Sequence, residues 1–182
     1  MPKFSANLSM MFQEVPFPER FAVSAKAGFK AVEFMFPYEY SIEELQKVLK
    51  TTDQKIVLFN LPAGNWAGGD RGIAVDPART AEFAAGIAKA AEYAKTLGVP
   101  QVNCLVGKKL ANVPAAEQHR TMVENLRLAA DTMAQIGVKL LVEPLNSRDM
   151  PGFTLNTTSQ VLELLAEIGH DNLFLQYDVY HA

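Results

Sequence analysis

The stretch Met133-Ala134-Gln135-Ile136-Gly137-Val138-Lys139-Leu140-Leu141-Val142-Glu143-Pro144 decides how this chain folds. It reads as the end of an amphipathic helix, a glycine, a short apolar run and an acidic residue. Glycine tolerates the left-handed conformation that stops a helix. The run 140–142 is continuously apolar, as in a parallel strand covered on both faces. The same unit recurs: Gly28 leads to Glu33, Gly98 to Asn103 and Gly169 to Asp178.

Working outward, apolar runs at 4–8, 31–34, 56–59, 102–106, 140–142 and 173–177 predict six strands. Five helical patterns lie between them. Phe83, Ile87, Ala91, Ala94 and Leu97 recur at three- and four-residue spacing, as do Met122, Leu126, Ala129, Met133 and Ile136, and then Val161, Leu165 and Ile168. Ser41 with Glu44 forms a capping box ahead of Leu45 and Leu49, and Pro18 and Pro77 suit the first turn of their helices. Two architectures fit: an open doubly wound sheet, or a TIM (β/α)₈-type barrel with only its first six βα units present. Unit spacing favours the barrel. No G-x-G-x-x-G turn follows the first strand, so no dinucleotide or other nucleotide cofactor is expected.

At 182 residues the chain is expected to form one domain, 1–182. With 49% apolar and 20% charged residues it is of ordinary globular composition, and a net charge of −3 offers no electrostatic reason to bind nucleic acid. Cys104 is the only cysteine and excludes an internal disulfide; in its apolar run it reads as a buried thiol rather than a nucleophile. Neither a signal peptide nor a run of ~20 apolar residues is present, so no membrane association and a cytoplasmic location are expected.

Polar residues cluster at strand ends. Glu143 follows a buried strand, where a carboxylate survives ionised only if paired, hydrogen-bonded or bound to metal. Asp178 ends the sixth strand and His181 lies three residues on, a set whose donors suit Mg²⁺, Mn²⁺ or Zn²⁺. Glu33, Asn7, Asn60 and Asn103 lie at other strand ends, where they bond either a polar substrate or nearby loop backbone. The glycine-rich segment 63–72 reads as a substrate-covering loop, in which Trp66 and Arg71 would cover and clamp an anion. Arg148 is a similar candidate, while His119 and His170 read as surface residues.

At these residues the sequence resembles the hydroxypyruvate isomerase family of xylose-isomerase-like (β/α)₈ barrels. The likeness rests on Phe4-Ser5-Ala6-Asn7-Leu8-Ser9-Met10, Val32-Glu33-Phe34-Met35-Phe36-Pro37-Tyr38, Asn60-Leu61-Pro62-Ala63-Gly64, Arg71-Gly72-Ile73-Ala74, Asn103-Cys104-Leu105-Val106-Gly107, Glu143-Pro144-Leu145-Asn146, Pro151-Gly152-Phe153 and Gln176-Tyr177-Asp178-Val179-Tyr180-His181. It implies an isomerase interconverting hydroxypyruvate and tartronate semialdehyde through an enediolate. Glu143 would be one of two catalytic glutamates, Glu143 and Asp178 would bind a divalent metal (Mg²⁺ or Mn²⁺ ahead of Zn²⁺), and His181 would contact substrate. Arg71 and Asn7 join His181 as expected contacts for a small hydroxy- or oxo-acid.

The alternatives are a 2-oxo-tetronate isomerase or a keto-sugar epimerase of the same superfamily. A DNA-repair nuclease of this barrel type would show more histidines and a basic face. Phe59 stands where some relatives carry His. The last residues follow the sixth strand, so the remaining metal ligand and the second glutamate are expected to be absent. The 182-residue chain as written is accordingly expected to have little or no activity. Open edges on the first and sixth strands would favour association, and a homo-oligomer stays open.

Overall fold

The computed structural model describes residues 2–182. Six strands form one parallel sheet: β1 (Ala6–Asn7), β2 (Ala31–Glu33), β3 (Lys55–Asn60), β4 (Gln101–Cys104), β5 (Lys139–Val142) and β6 (Leu173–Leu175). Between them run α1 (Phe17–Lys26), α2 (Ile42–Thr52), α3 (Thr80–Leu97), α4 (Ala115–Gln135) and α5 (Thr158–Ile168). The strands lie in chain order, β1-β2-β3-β4-β5-β6.

That order separates the two architectures. A doubly wound sheet reverses its strand order at a switch point, which places helices on both faces. Sequential parallel strands joined by right-handed crossovers keep every helix on one face. Consecutive helices do pack on one another from α1 through α5. The sheet is therefore the wall of a (β/α) barrel over six strands, with five complete βα units rather than six because no helix follows β6 among the described residues, and it is open between β1 and β6.

Local sequence explains most boundaries. Gly28, Gly98, Gly137 and Gly169 each follow a helix at φ between +60° and +97°. The Ser41 hydroxyl accepts the Glu44 N–H (3.2 Å) and the Glu44 carboxylate accepts the Ser41 N–H (2.7 Å), completing the capping box of α2. Three features depart from the sequence reading. Asp53, not a glycine, ends α2 at φ +53°, a conformation that Asp tolerates. Pro77 opens a 3₁₀ turn, Pro77–Arg79, ahead of α3. The first and sixth strands are shorter than their apolar runs, because each has a ladder partner on one side only; Phe4 is 72% exposed.

Side chains alternate across a strand. On β4 and β5 one face carries Val102, Cys104, Leu140 and Val142, all fully buried in the core with Phe21, Ile87, Met122, Leu126 and Met133. Burial pushes the Cys104 thiol up to about 12, so it is inert packing. The other face carries Asn103, Leu141 and, beyond the strand, Glu143. Among the described residues no helix is long and apolar enough to cross a membrane.

Candidate active site

Register carries the polar residues to one place. Asn7 pairs with Glu33, Asn60 with Asn103, Asn103 with Leu141, and Leu141 with Phe174. Stepping two residues along the same face reaches Glu143 from Leu141 and Gln176, then Asp178, from Phe174. A pocket at these strand ends is lined by Asn7, Glu33, Asn60, Glu143, Gln176, Asp178 and His181, with apolar walls that include Met10, Phe34, Trp66 and Met150. Among the described residues no Lys or Arg lines it.

Glu143 is 7% exposed. Burial is the main reason its carboxyl is pushed up to about 7; hydrogen bonds from Gln176 and Asn103 oppose the shift, and the charges of Asp178 and Glu33 reinforce it. The Asn103 amide donates to Glu143 at 3.3 Å. The Gln176 oxygen Oε1 is buried with no partner among the described residues.

One oxygen of Asp178 accepts the Tyr180 N–H (2.8 Å), and its carbonyl accepts the His181 N–H (3.0 Å). These bonds turn the chain so that the imidazole folds back over the site. Donor chemistry then assigns the His181 tautomer. The Asn146 Oδ1 accepts the N–H groups of Arg148 and Asp149, so its Nδ2 is what faces His181 Nδ1, at 2.9 Å. The Asn146 backbone N–H also points at Nδ1, at 3.3 Å. With donors on Nδ1, the neutral ring carries its proton on Nε2, which lies 3.9 Å from Asp178.

Glu143, Asp178 and His181 each offer a ligand atom within 4.8 Å of the others, the spacing of one cation's ligands. The pocket holds three carboxylates (Glu33, Glu143, Asp178), one imidazole (His181) and, among the described residues, no Lys or Arg. Such a donor set fits a hard divalent cation. The tautomer makes Glu143 and Asp178 the better ligands, because an Nε2 that carries the proton donates rather than coordinates.

The remaining expected residues divide. Asn7 lines the pocket, but its amide is engaged: Nδ2 donates to Glu33 (3.3 Å) and Oδ1 accepts the Ser9 N–H (3.0 Å). Arg71 is not among the pocket's lining residues. Its guanidinium stacks 4.1 Å from the Trp66 ring centroid and donates to the carbonyls of Trp66 (3.1 Å) and Asp70 (2.7 Å). It thus holds Trp66 against Phe36, edge-on at 5.1 Å, at the pocket wall. The loop carrying both packs onto the end of β4 at Gly72 (φ +109°), where a Cβ would overlap the Leu105 carbonyl oxygen.

Arg148 lies in a separate hollow with Asp149 and Tyr180. His119 bonds Glu167 (2.8 Å) and His170 bonds Asp131 (3.0 Å), joining α4 to α5 and to the turn after it. Sequence reasoning did not single out Gln176 or Asn146 as site residues. Their signal was parity and spacing: Gln176 stands two residues before Asp178, and Asn146 three after Glu143.

The family described as the xylose isomerase-like TIM barrel matches residues 21–182. The chain is 51% identical over 181 residues to hydroxypyruvate isomerase of Escherichia coli (strain K12), covering 100% of this chain and 70% of that protein. It is 44% identical over 182 residues to 2-oxo-tetronate isomerase of Cupriavidus necator, with the same coverage. Among solved structures, one titled AP endonuclease, family 2, from Brucella melitensis superposes with a TM-score of 0.96 at 41% identity, over 100% of this chain and 70% of that one.

Proposed function

The chain belongs to the xylose isomerase-like TIM barrel family and is an isomerase of that family, and we propose that it interconverts hydroxypyruvate and tartronate semialdehyde. The observation that carries this reading is the meeting of Glu143, Asp178 and His181 within 4.8 Å in one pocket. The 51% identity to a protein named for this reaction supports the choice of substrate over the four-carbon acid of the 44% relative.

Hydroxypyruvate carries a hydroxymethyl carbon, C3, beside its C2 carbonyl. Glu143, buried and poised near neutrality, takes a proton from C3. The electron pair moves to the C2 oxygen, giving an enediolate, and Glu143 returns the proton at C2. The hydroxyl proton of O3 passes to O2, so product and substrate are isomers and Glu143 ends as it began. His181 donates its Nε2–H to a substrate oxygen. Trp66, held by Arg71, keeps water from the reacting carbons. A divalent cation held by Glu143 and Asp178, Mg²⁺ or Mn²⁺ ahead of Zn²⁺, would stabilise charge on the substrate oxygens.

The test is turnover by the protein expressed from its full coding frame, with Mg²⁺ or Mn²⁺. Hydroxypyruvate, 2-oxo-tetronate, a ketose and abasic-site DNA are offered in parallel. The expected result is the highest kcat/KM with hydroxypyruvate. A preference for 2-oxo-tetronate moves the reading to the longer acid, and DNA cleavage without isomerisation overturns it.

A further inference from the structure

Asn60, the last residue of β3, and Asn103, the penultimate residue of β4, are register partners, and Asn103 also neighbours Leu141, which shares its face with Glu143. Asn103 is fully buried. Its Nδ2 donates to Glu143 Oε2 at 3.3 Å and to Asn60 Oδ1 at 3.1 Å. Its own Oδ1 is buried without a partner among the described residues, an unfavourable arrangement for a polar atom.

The orphan oxygen shows what orients this amide. In its ionised form, the form that acts as base, Glu143 only accepts hydrogen bonds. Turning the Asn103 amide over would set its oxygen against Glu143 and strand its NH₂, so the carboxylate dictates that NH₂ faces it. The second hydrogen of that NH₂ then falls on Asn60. Asn60 must answer with its oxygen, which leaves its own NH₂ on the other side, and Asn60 is one of the residues that line the pocket. That NH₂ has no partner among the described residues. The Asn60 backbone is also held: its N–H donates to the Met35 carbonyl (2.8 Å) and its carbonyl accepts the Tyr38 hydroxyl (2.7 Å).

We propose that Asn60 is a catalytic hydrogen-bond donor to the substrate oxygen that gains charge on proton removal, and that Asn103 is the positioning residue that sets its polarity from Glu143. This rests on the isomerase reading above and adds a group from β3 to the site. A preorganised neutral donor at such an oxygen contributes about 10²–10³-fold in rate.

The probes, applied to the protein expressed from its full coding frame, are hydroxypyruvate turnover and the binding of N-hydroxyoxamate, a planar mimic of the enediolate. Binding is followed by isothermal titration calorimetry. Asn60→Leu should lower kcat about 10²–10³-fold with KM within about threefold. It should weaken N-hydroxyoxamate by a similar factor and leave Mn²⁺ affinity intact. Asn60→Asp keeps the shape and the acceptor for Asn103, and should lose as much, which covers failure of the Leu variant to fold. Asn103→Leu should lower kcat about tenfold, and the loss in the double variant should fall short of the product of the two single losses.

Unchanged kcat and N-hydroxyoxamate affinity in the Asn60 variants overturn the proposal. Fully additive losses at the two positions overturn the role of Asn103. If the wild type binds N-hydroxyoxamate through Asn60 but does not turn over hydroxypyruvate, the isomerase reading fails while the donor stands. Neither binding nor turnover in the wild type overturns both.

Discussion

Two glutamates reach the same pocket from different parts of the sheet, Glu33 at the end of β2 and Glu143 just past β5. Glu33 accepts a bond at each oxygen, from the Ser5 hydroxyl (3.1 Å) and the Asn7 amide (3.3 Å), and so ties β1 to β2. Glu143 is buried among amides, with Asp178 and His181 beside it, and its carboxyl is pushed up to about 7. A strand end aims both side chains at the pocket, but the neighbours decide their work. Glu33's partners complete a structural corner. Glu143's partners leave a group that can gain or lose a proton near neutral pH.

The largest expected effect is at Glu143. Glu143→Gln should reduce isomerisation by about 10³-fold or more, with an unchanged circular dichroism spectrum. Near-normal turnover would remove Glu143 from the mechanism. Next comes a pH effect on stability. With its folded carboxyl at about 7 against an ordinary 4.5, Glu143 binds its proton more tightly folded than unfolded. Its contribution is complete below about pH 4.5 and is lost as pH rises through 7, a span on the order of 3 kcal/mol. Urea unfolding in chelator from pH 4.5 to 8.5 should show this decline in the wild type and not in Glu143→Gln. Equal slopes would place the titration elsewhere.

Asp178→Asn should weaken Mn²⁺ binding by about 100-fold, read by calorimetry, since even outer partners of a ligand are worth 10–100-fold. Unaltered affinity would leave Asp178 outside the cation site. The smallest effect belongs to the β1–β2 corner. Glu33→Gln should cost about 1–2 kcal/mol of stability, by urea unfolding, and no more than about tenfold in turnover. A loss as deep as that of Glu143→Gln would break the contrast and make Glu33 a chemical partner.

Much of this arrangement was legible in the chain. The helix-stop glycines, the apolar runs and the carboxylates after them are local signals; the four glycines stop their helices as read and six strands form in the six runs, but β1 and β6 are shorter than their runs and Asp178 lies three residues beyond β6 rather than at its end. The capping box Thr157 to Gln160 at α5 has the same signature as Ser41 to Glu44, and only the second was read. The fates of Arg71 and Asn7 were not legible. Both are polar residues beside the pocket, and nothing in their own segments tells whether a substrate or a neighbouring group engages them. Arg71 is engaged by Trp66 and two carbonyls, and Asn7 by Glu33 and Ser9.

By itself the sequence determined the six strands, the five helices between them and which polar residues follow the strands, because apolar runs, helical periodicity and turn chemistry act over a few residues. Only the tertiary structure decided between a barrel wall and a doubly wound sheet, and which strand-end groups meet. Strand order and register bring Asn103 to Glu143 across 40 residues, and loop closure brings Asn146 to His181 across 35. Those contacts fix the polarity of the amides and the tautomer of the imidazole, and no local pattern encodes a hydrogen bond whose partners lie that far apart in the chain.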